Sequence, residues 1–212
     1  MTRRQDPSSN SSRPSVTLSR TIITDAAISF IEENGLEQLS MRNLASTIGC
    51  GTMSLYSHVK NREDLCSAIV SELIVRSSLP EVASQDFDSW QNLARALSSA
   101  YRDLAFSYPR SYELLGLAPY EEEPVASHIQ GLLSAVERTG LAPEQATEVF
   151  AALDAYLTGY LAVSVRSAIS GTQPSTELEF TLQRLRTPEN FERGLEVFIR
   201  GFELELGEIR SI

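Results

Sequence analysis

Leu39-Ser40-Met41-Arg42-Asn43-Leu44-Ala45 opens a stretch that continues through Ile48-Gly49-Cys50-Gly51 and Thr52 to Lys60-Asn61-Arg62, and its reading decides the fold. Ser40 is placed to cap a helix, its hydroxyl accepting an orphan backbone N–H. Leu44, Ala45 and Ile48 recur at helical spacing and mark one apolar face. Gly49 ends that helix, because glycine enters the left-handed region without a Cβ clash. Cys50-Gly51 completes the turn, and Thr52 begins a second helix through Leu55, Tyr56 and Val59. Two short helices joined by a tight glycine-containing turn are the parts of a helix-turn-helix. In such a motif the second helix enters the major groove of DNA, with its N-terminal residues at the base edges.

Upstream, Ile22, Ile23, Ala26, Ala27, Phe30 and Ile31 form one apolar stripe over residues 18–34, stopped by Gly35. Three helices then suffice for a small core. Residues 1–17 are rich in Ser, Pro, Arg and Asn and read as a disordered tail. The sharper alternative is an arm whose Arg3, Arg4 and Arg13, with Arg20, approach phosphates or the minor groove. Downstream, Asn61 caps a helix with Glu63 and Asp64 in its first turn, where the helix dipole favours acids. Its apolar face of Leu65, Ile69, Val70, Leu73 and Ile74 runs to about Ser78, and Leu79-Pro80 terminates it.

The remainder is periodic at helical spacing only. Helices are expected over Phe87 to Tyr108, residues 110–117, Pro124 to Thr139 and Pro143 to Ser170. Thr176 followed by Glu179 fits a capping box for a short helix to about Arg186, and Thr187-Pro188 opens the last one. The fold class is all-α, with about nine or ten helices. The division is a tail (1–17), a helix-turn-helix domain (18–64) and a helical body (65–212).

The net charge of -10 over 212 residues argues at first against nucleic acid. Its distribution changes the argument: residues 1–62 carry seven Lys+Arg against five Asp+Glu, and the rest eleven against twenty-three. An acidic body confines contact to the slightly basic end, a weaker footprint than a wholly basic domain. No continuous apolar run of about 18 residues and no signal peptide are seen, so a cytoplasmic protein with no membrane partner is expected. Cys50 and Cys66, sixteen residues apart, fit neither a disulfide framework nor a zinc pattern and read as reduced thiols.

The order of helix, helix-turn-helix, linking helix and acidic helical body resembles the TetR family of bacterial transcriptional regulators. The resemblance is carried by residues 20–70, and Leu55-Tyr56-Ser57-His58-Val59-Lys60-Asn61 is similar to the tetracycline-repressor branch. It implies a homodimer that binds a palindromic double-stranded operator and leaves it when an unknown small-molecule inducer binds the C-terminal domain. It places Thr52, Met53 and Ser54 at base edges and nearby phosphates. Threonine can hydrogen-bond a base, and methionine can pack on a thymine methyl. Met53 departs from the tetracycline repressor, so the operator should differ. Tyr56 and His58 suit phosphate oxygens, with Arg42, Lys60 and Arg62 as backbone clamps. Tyr56 could also pack against Leu44 and Val59, since its ring is apolar and its tip polar.

In the body, Trp90, Tyr101, Tyr112, His128, Asp154, Tyr156 and Tyr160 are the candidates for a small-molecule site, since such sites combine aromatic walls with a few polar groups. Asp154 stands out because a carboxylate in an apolar helix needs a partner. Each is individually an ordinary core residue. Leu153, Leu157, Leu161 and Val165 on one helix, with Phe198 and Phe202 on another, are the expected dimer interface. No cofactor or metal is expected, and no catalytic residue: two histidines outside any motif do not make a nucleophile–base set. An all-helical enzyme and a protein-interaction scaffold with an incidental helix-turn-helix remain the alternatives.

Overall fold

A computed structural model describes residues 18–171 and 174–209, and the arm carrying Arg3, Arg4 and Arg13 lies outside them. Helix α1 (Arg20–Asn34) starts at Ser19, whose hydroxyl accepts the Ile22 N–H at 3.2 Å. It buries Ile23, Ala27, Ile28 and Ile31. Gly35 breaks it at φ 94° while donating its N–H to the Ile31 carbonyl. A 3-10 turn (Leu36–Gln38) leads to α2 (Met41–Ile48), capped by Ser40 accepting from the Asn43 N–H at 3.1 Å. Gly49, at φ 81°, and Cys50 both donate to the Ala45 carbonyl and close the turn.

Helix α3 (Thr52–Tyr56) is shorter than its apolar spacing predicts. The Ser57 hydroxyl donates to the Ser54 carbonyl at 2.7 Å and the ladder tightens, with His58 and Val59 both donating to the Leu55 carbonyl. Val59 still reaches the core, outside the helix. Helix α4 (Arg62–Arg76) begins at Asn61, whose side chain accepts the Asp64 N–H at 2.8 Å.

After α4 the chain does something its Leu-Pro pair did not suggest. The Ser77 hydroxyl donates to the Ile74 carbonyl and ends α4, and Leu79-Pro80 opens a six-residue helix, α5 (Leu79–Ser84), rather than a loop. Proline is tolerated in a first turn because the N–H it lacks has no intrahelical acceptor there. The body continues with α6 (Trp90–Ser107), α7 (Tyr112–Gly116), α8 (Val125–Arg138), α9 (Pro143–Ser170), α10 (Glu177–Arg184) and α11 (Pro188–Ile209). Ser89, not Phe87, sets the start of α6, its hydroxyl accepting the Asn92 N–H. The Thr176 hydroxyl accepts from Glu179, whose carboxylate accepts from Thr176, which makes the capping box of α10 reciprocal. The described residues form helices, turns and loops, with no strand.

Helix α9 is the axis of the body, packed on α6, α7, α8 and α11. By length and composition it could cross a membrane. Here its row of Val149, Leu153, Leu157, Leu161 and Val165 is buried in the chain's own core. Leu153, Leu157, Leu161 and Val165, expected at a dimer interface, are packed within this chain. Phe198 and Phe202 are half-buried, 4.9 Å apart between centroids, with Phe202 edge-on to Trp90 at 6.4 Å. A helical period says which residues share a face, not what covers it. The apolar side chains left facing outward on these helices are Val163 and Ile169 on α9, and Val197 and Leu204 on α11.

Candidate nucleic-acid interface and ligand site

The head presents α3 by burying its back. Leu55 is wholly buried, and Leu44, Ala45 and Val59 close around it. Thr52, Met53, Ser54 and Tyr56 are left on the outer side, with Met53 80% and Tyr56 46% exposed. A methionine so exposed at the start of a helix has no packing role in its own chain, and its thioether is free to meet an apolar group elsewhere. Arg42 on α2 and Lys60 beyond α3 are both exposed.

Two cations also make bonds within the chain. Arg62 spends its Nε on the Leu39 carbonyl at 3.2 Å, tying α4 to the entry of α2, so its reach outward is divided. Arg20, expected to accompany the arm toward phosphates, is clamped to the Asp64 carboxylate at 2.8 Å. The guanidinium beside it, with the Lys60 backbone N–H, holds the Asp64 carboxyl down at about 2. His58 is half-buried, and its carbonyl accepts from Arg20. Cys50 and Cys66 are free, and burial pushes the Cys66 thiol up.

In the body, four of the seven residues picked from sequence converge. Tyr101 on α6 is buried, and its hydroxyl shares a 2.9 Å hydrogen bond with Nε2 of His128 on α8. Burial pushes His128 down to about 4, so its imidazole is neutral near pH 7. Asp154 on α9 accepts a hydrogen bond from the Tyr120 hydroxyl. That bond and burial push Tyr120 up to about 12, and the Asp154 charge adds to the burial that raises Tyr101 and Tyr112. Sequence reasoning missed Tyr120, which sits in the Pro119–Pro124 loop where no helical period marks a face.

The other three picks do different work. Trp90 packs against Phe202. Tyr156 donates to the Phe191 carbonyl at 2.6 Å and Tyr160 to the Thr187 carbonyl at 2.9 Å, both rings lying against Phe191. They dock α11 onto α9. Among the described residues no cluster of three His, Cys, Asp or Glu side chains could hold a metal ion.

A cleft of about 790 Å³ opens at the junction of head and body, between Gly35–Glu37, α7 and the C-terminal half of α9. Tyr112 belongs to its wall. Beside it the Glu32 carboxylate of α1 accepts the backbone N–H groups of Ser111 and Arg110, at 2.8 and 3.2 Å, joining the head to the entry of α7. A second tie runs from the Ser67 hydroxyl of α4 to the Glu123 carbonyl at 3.1 Å, at the far end of the loop that carries Tyr120.

Residues 23–69 match the family model described as bacterial regulatory proteins, tetR family. Over 210 residues the chain is 27% identical to the tetracycline repressor protein class D of Escherichia coli, covering 92% of this chain and 94% of that one. It is 25% identical over 147 residues to the HTH-type transcriptional repressor DrrR1 of Streptomyces coeruleorubidus, covering 69% of this chain and 53% of that one. Among solved structures, TetR from Acinetobacter baumannii AYE superposes with a TM-score of 0.71 at 22% identity, covering 88% of this chain and 97% of its own. ActR of Streptomyces coelicolor, solved in complex with (S)-DNPA, gives 0.67 at 20% identity, covering 90% and 99%.

Proposed function

We infer that this chain is a ligand-responsive DNA-binding transcriptional regulator of the TetR family of bacterial regulatory proteins, and that it works as a repressor. The observation that carries the reading is the outer row of Thr52, Met53, Ser54 and Tyr56 on a helix whose inner side is fully committed to the core. The relatives are named as regulators and repressors, which favours a non-catalytic protein, and one that reads operator DNA works in the cytoplasm.

The reading head comprises residues 18–64, and the rest holds ligand and partner. Thr52 and Met53 face base edges, while Ser54, Tyr56, His58, Lys60 and Arg42 engage phosphates, with Arg62 in a lesser role. Two heads in a homodimer enter successive major grooves only if they lie about 34–36 Å apart. The pairing surface is the outward side of α9 and α11, around Val163, Ile169, Val197 and Leu204, together with the half-buried Phe198 and Phe202.

The inducer site is the Tyr101–His128 and Tyr120–Asp154 cluster, with Tyr112 at its edge. A ligand that takes the Asp154 carboxylate from Tyr120 frees the 119–124 loop. That loop is bonded to α4 through Ser67, and α4 carries the head. The ligand shifts the equilibrium only as far as it prefers the DNA-incompetent arrangement. A ten- to hundred-fold loss of operator affinity needs ~1.4–2.7 kcal/mol of such preference. Selection of bound duplexes from a random library, followed by a gel shift with Tyr56→Ala, tests the reading. A specific palindrome that the variant no longer binds, at unchanged thermal stability, is the expected result. Failure to enrich any sequence would remove it.

A further inference from the structure

Arg20 and Asp64 pair side chain to side chain, and each also bonds the backbone that follows α3. Arg20 grips the two Asp64 carboxylate oxygens with its two terminal nitrogens, at 2.8 and 2.9 Å. The same guanidinium donates to the His58 carbonyl at 3.2 Å and the Asp64 carbonyl at 3.3 Å. The Asp64 carboxylate in turn accepts the Lys60 backbone N–H at 2.8 Å. The turn between α3 and α4 is thereby fastened from two sides, by the first residue of α1 and by the first turn of α4.

The turn's other restraints are local: the His58 and Val59 N–H groups on the Leu55 carbonyl, the Ser57 hydroxyl on Ser54 and the Asn61 cap. Helix α3 has five residues and no side-chain cap at Gly51, and so short a helix has almost no stability of its own. Leu55 and Val59 anchor its inner side but leave the His58 and Lys60 backbone to be set by hydrogen bonds. The ion pair is partly exposed, and pairs of that kind add little to global stability. A carboxylate beside a phosphate-facing surface also repels DNA. Its presence there is explained by what it orients.

We propose that Arg20 and Asp64 are positioning residues for DNA binding: together they hold the backbone of His58 and Lys60 in the arrangement that meets phosphates, without touching the DNA themselves. The proposal rests on the reading of α3 and its flanks as the DNA-facing surface.

The sign of one substitution separates this role from simple electrostatics. Asp64→Asn removes a negative charge, so charge alone predicts tighter binding. Positioning predicts weaker binding, by about tenfold, for the selected duplex and for mismatched duplexes alike, because phosphate contacts carry no sequence information. Arg20→Ala should lose the same factor without lowering the salt slope, and the double variant should bind no worse than either single one. The melting temperature of the free protein should stay near wild type. Amide exchange at Val59 and Lys60 should accelerate while the core amides of α1 and α4 stay protected, which keeps local loosening apart from unfolding. The probe is the duplex recovered by selection with the wild-type protein. If Asp64→Asn binds as well as wild type or better, the positioning role is overturned. It is overturned equally if Arg20→Ala lowers the slope by about 0.9, since Arg20 is then itself a phosphate contact. Wild type that binds its duplex while both variants bind equally well removes this role alone. Wild type that enriches no duplex removes the DNA reading and this role with it.

Discussion

At the scale of single residues, the proposed reading of α3 separates residues that face bases from residues that face phosphates. Met53 is 80% exposed on α3, and Lys60 places a cation beyond the end of the same helix. Lys60→Ala should weaken binding to all duplexes alike and reduce the slope of log affinity against log salt by about 0.9 for each phosphate that Lys60 neutralises. Met53→Ala should leave the slope unchanged and relax preference at one base pair, by about 1–3 kcal/mol. Titration across salt concentration with matched and mismatched duplexes checks both.

His128 gives a second test at this scale. Its folded-state pKa is lowered to about 4 by burial, so between that value and the ordinary 6.5 the unfolded chain binds the extra proton. Stability must therefore rise with pH through this window and fall as the solution is acidified through it, by at most roughly 1.4 kcal/mol per pH unit. His128→Gln should flatten that limb in denaturant titrations. The acid limb from Asp64, depressed to about 2, lies lower: its stabilisation is complete above the ordinary carboxylate value near 4 and is lost as pH falls toward 2.

At the scale of elements, glycines with different duties make a contrast. Gly49 sits at φ 81° in the turn between α2 and α3, and an added Cβ would meet no neighbour within 4 Å. Gly49→Ala should thus destabilise by backbone strain alone, about 1–2 kcal/mol. Gly131 lies inside α8, equally without neighbours. Gly131→Ala should stabilise by up to about 1 kcal/mol through helix propensity. Thermal melts of the two variants should move in opposite directions. The α3 turn also shows how an element departs from its pattern: Val59 keeps the apolar spacing of a helix, but Ser57 bonds back to Ser54 and the helix is over before Val59 is reached.

At the scale of the whole molecule, the apolar residues of α9 and α11 divide between core and surface. Val197 is 65% and Leu204 70% exposed, whereas Leu157 is buried. Val197→Glu should convert a dimer to monomers by sedimentation while leaving helicity intact, and operator affinity should fall with it. Leu157→Ala should instead destabilise the fold by about 2–5 kcal/mol, as cavities in packed cores do. A dimer unmoved by Val197→Glu would place the pairing surface elsewhere.

Sequence alone determined what local hydrogen bonding and backbone sterics decide. The caps at Ser40, Asn61 and Thr176, the breaks at Gly35, Gly49 and Gly171, and the helix-turn-helix all depend on atoms within a few residues of one another. Leu44 and Ala45 were legible as one apolar face for the same reason. Tertiary structure decided what meets across distance. Arg20 finds Asp64 forty-four residues away, Tyr120 finds Asp154 from a loop without periodicity, and Tyr156 and Tyr160 bond the entry of α11. It also decided that the row from Leu153 to Val165 faces inward. A helical period fixes which side chains share a face, but the neighbour that covers the face is set by the packing of every helix at once.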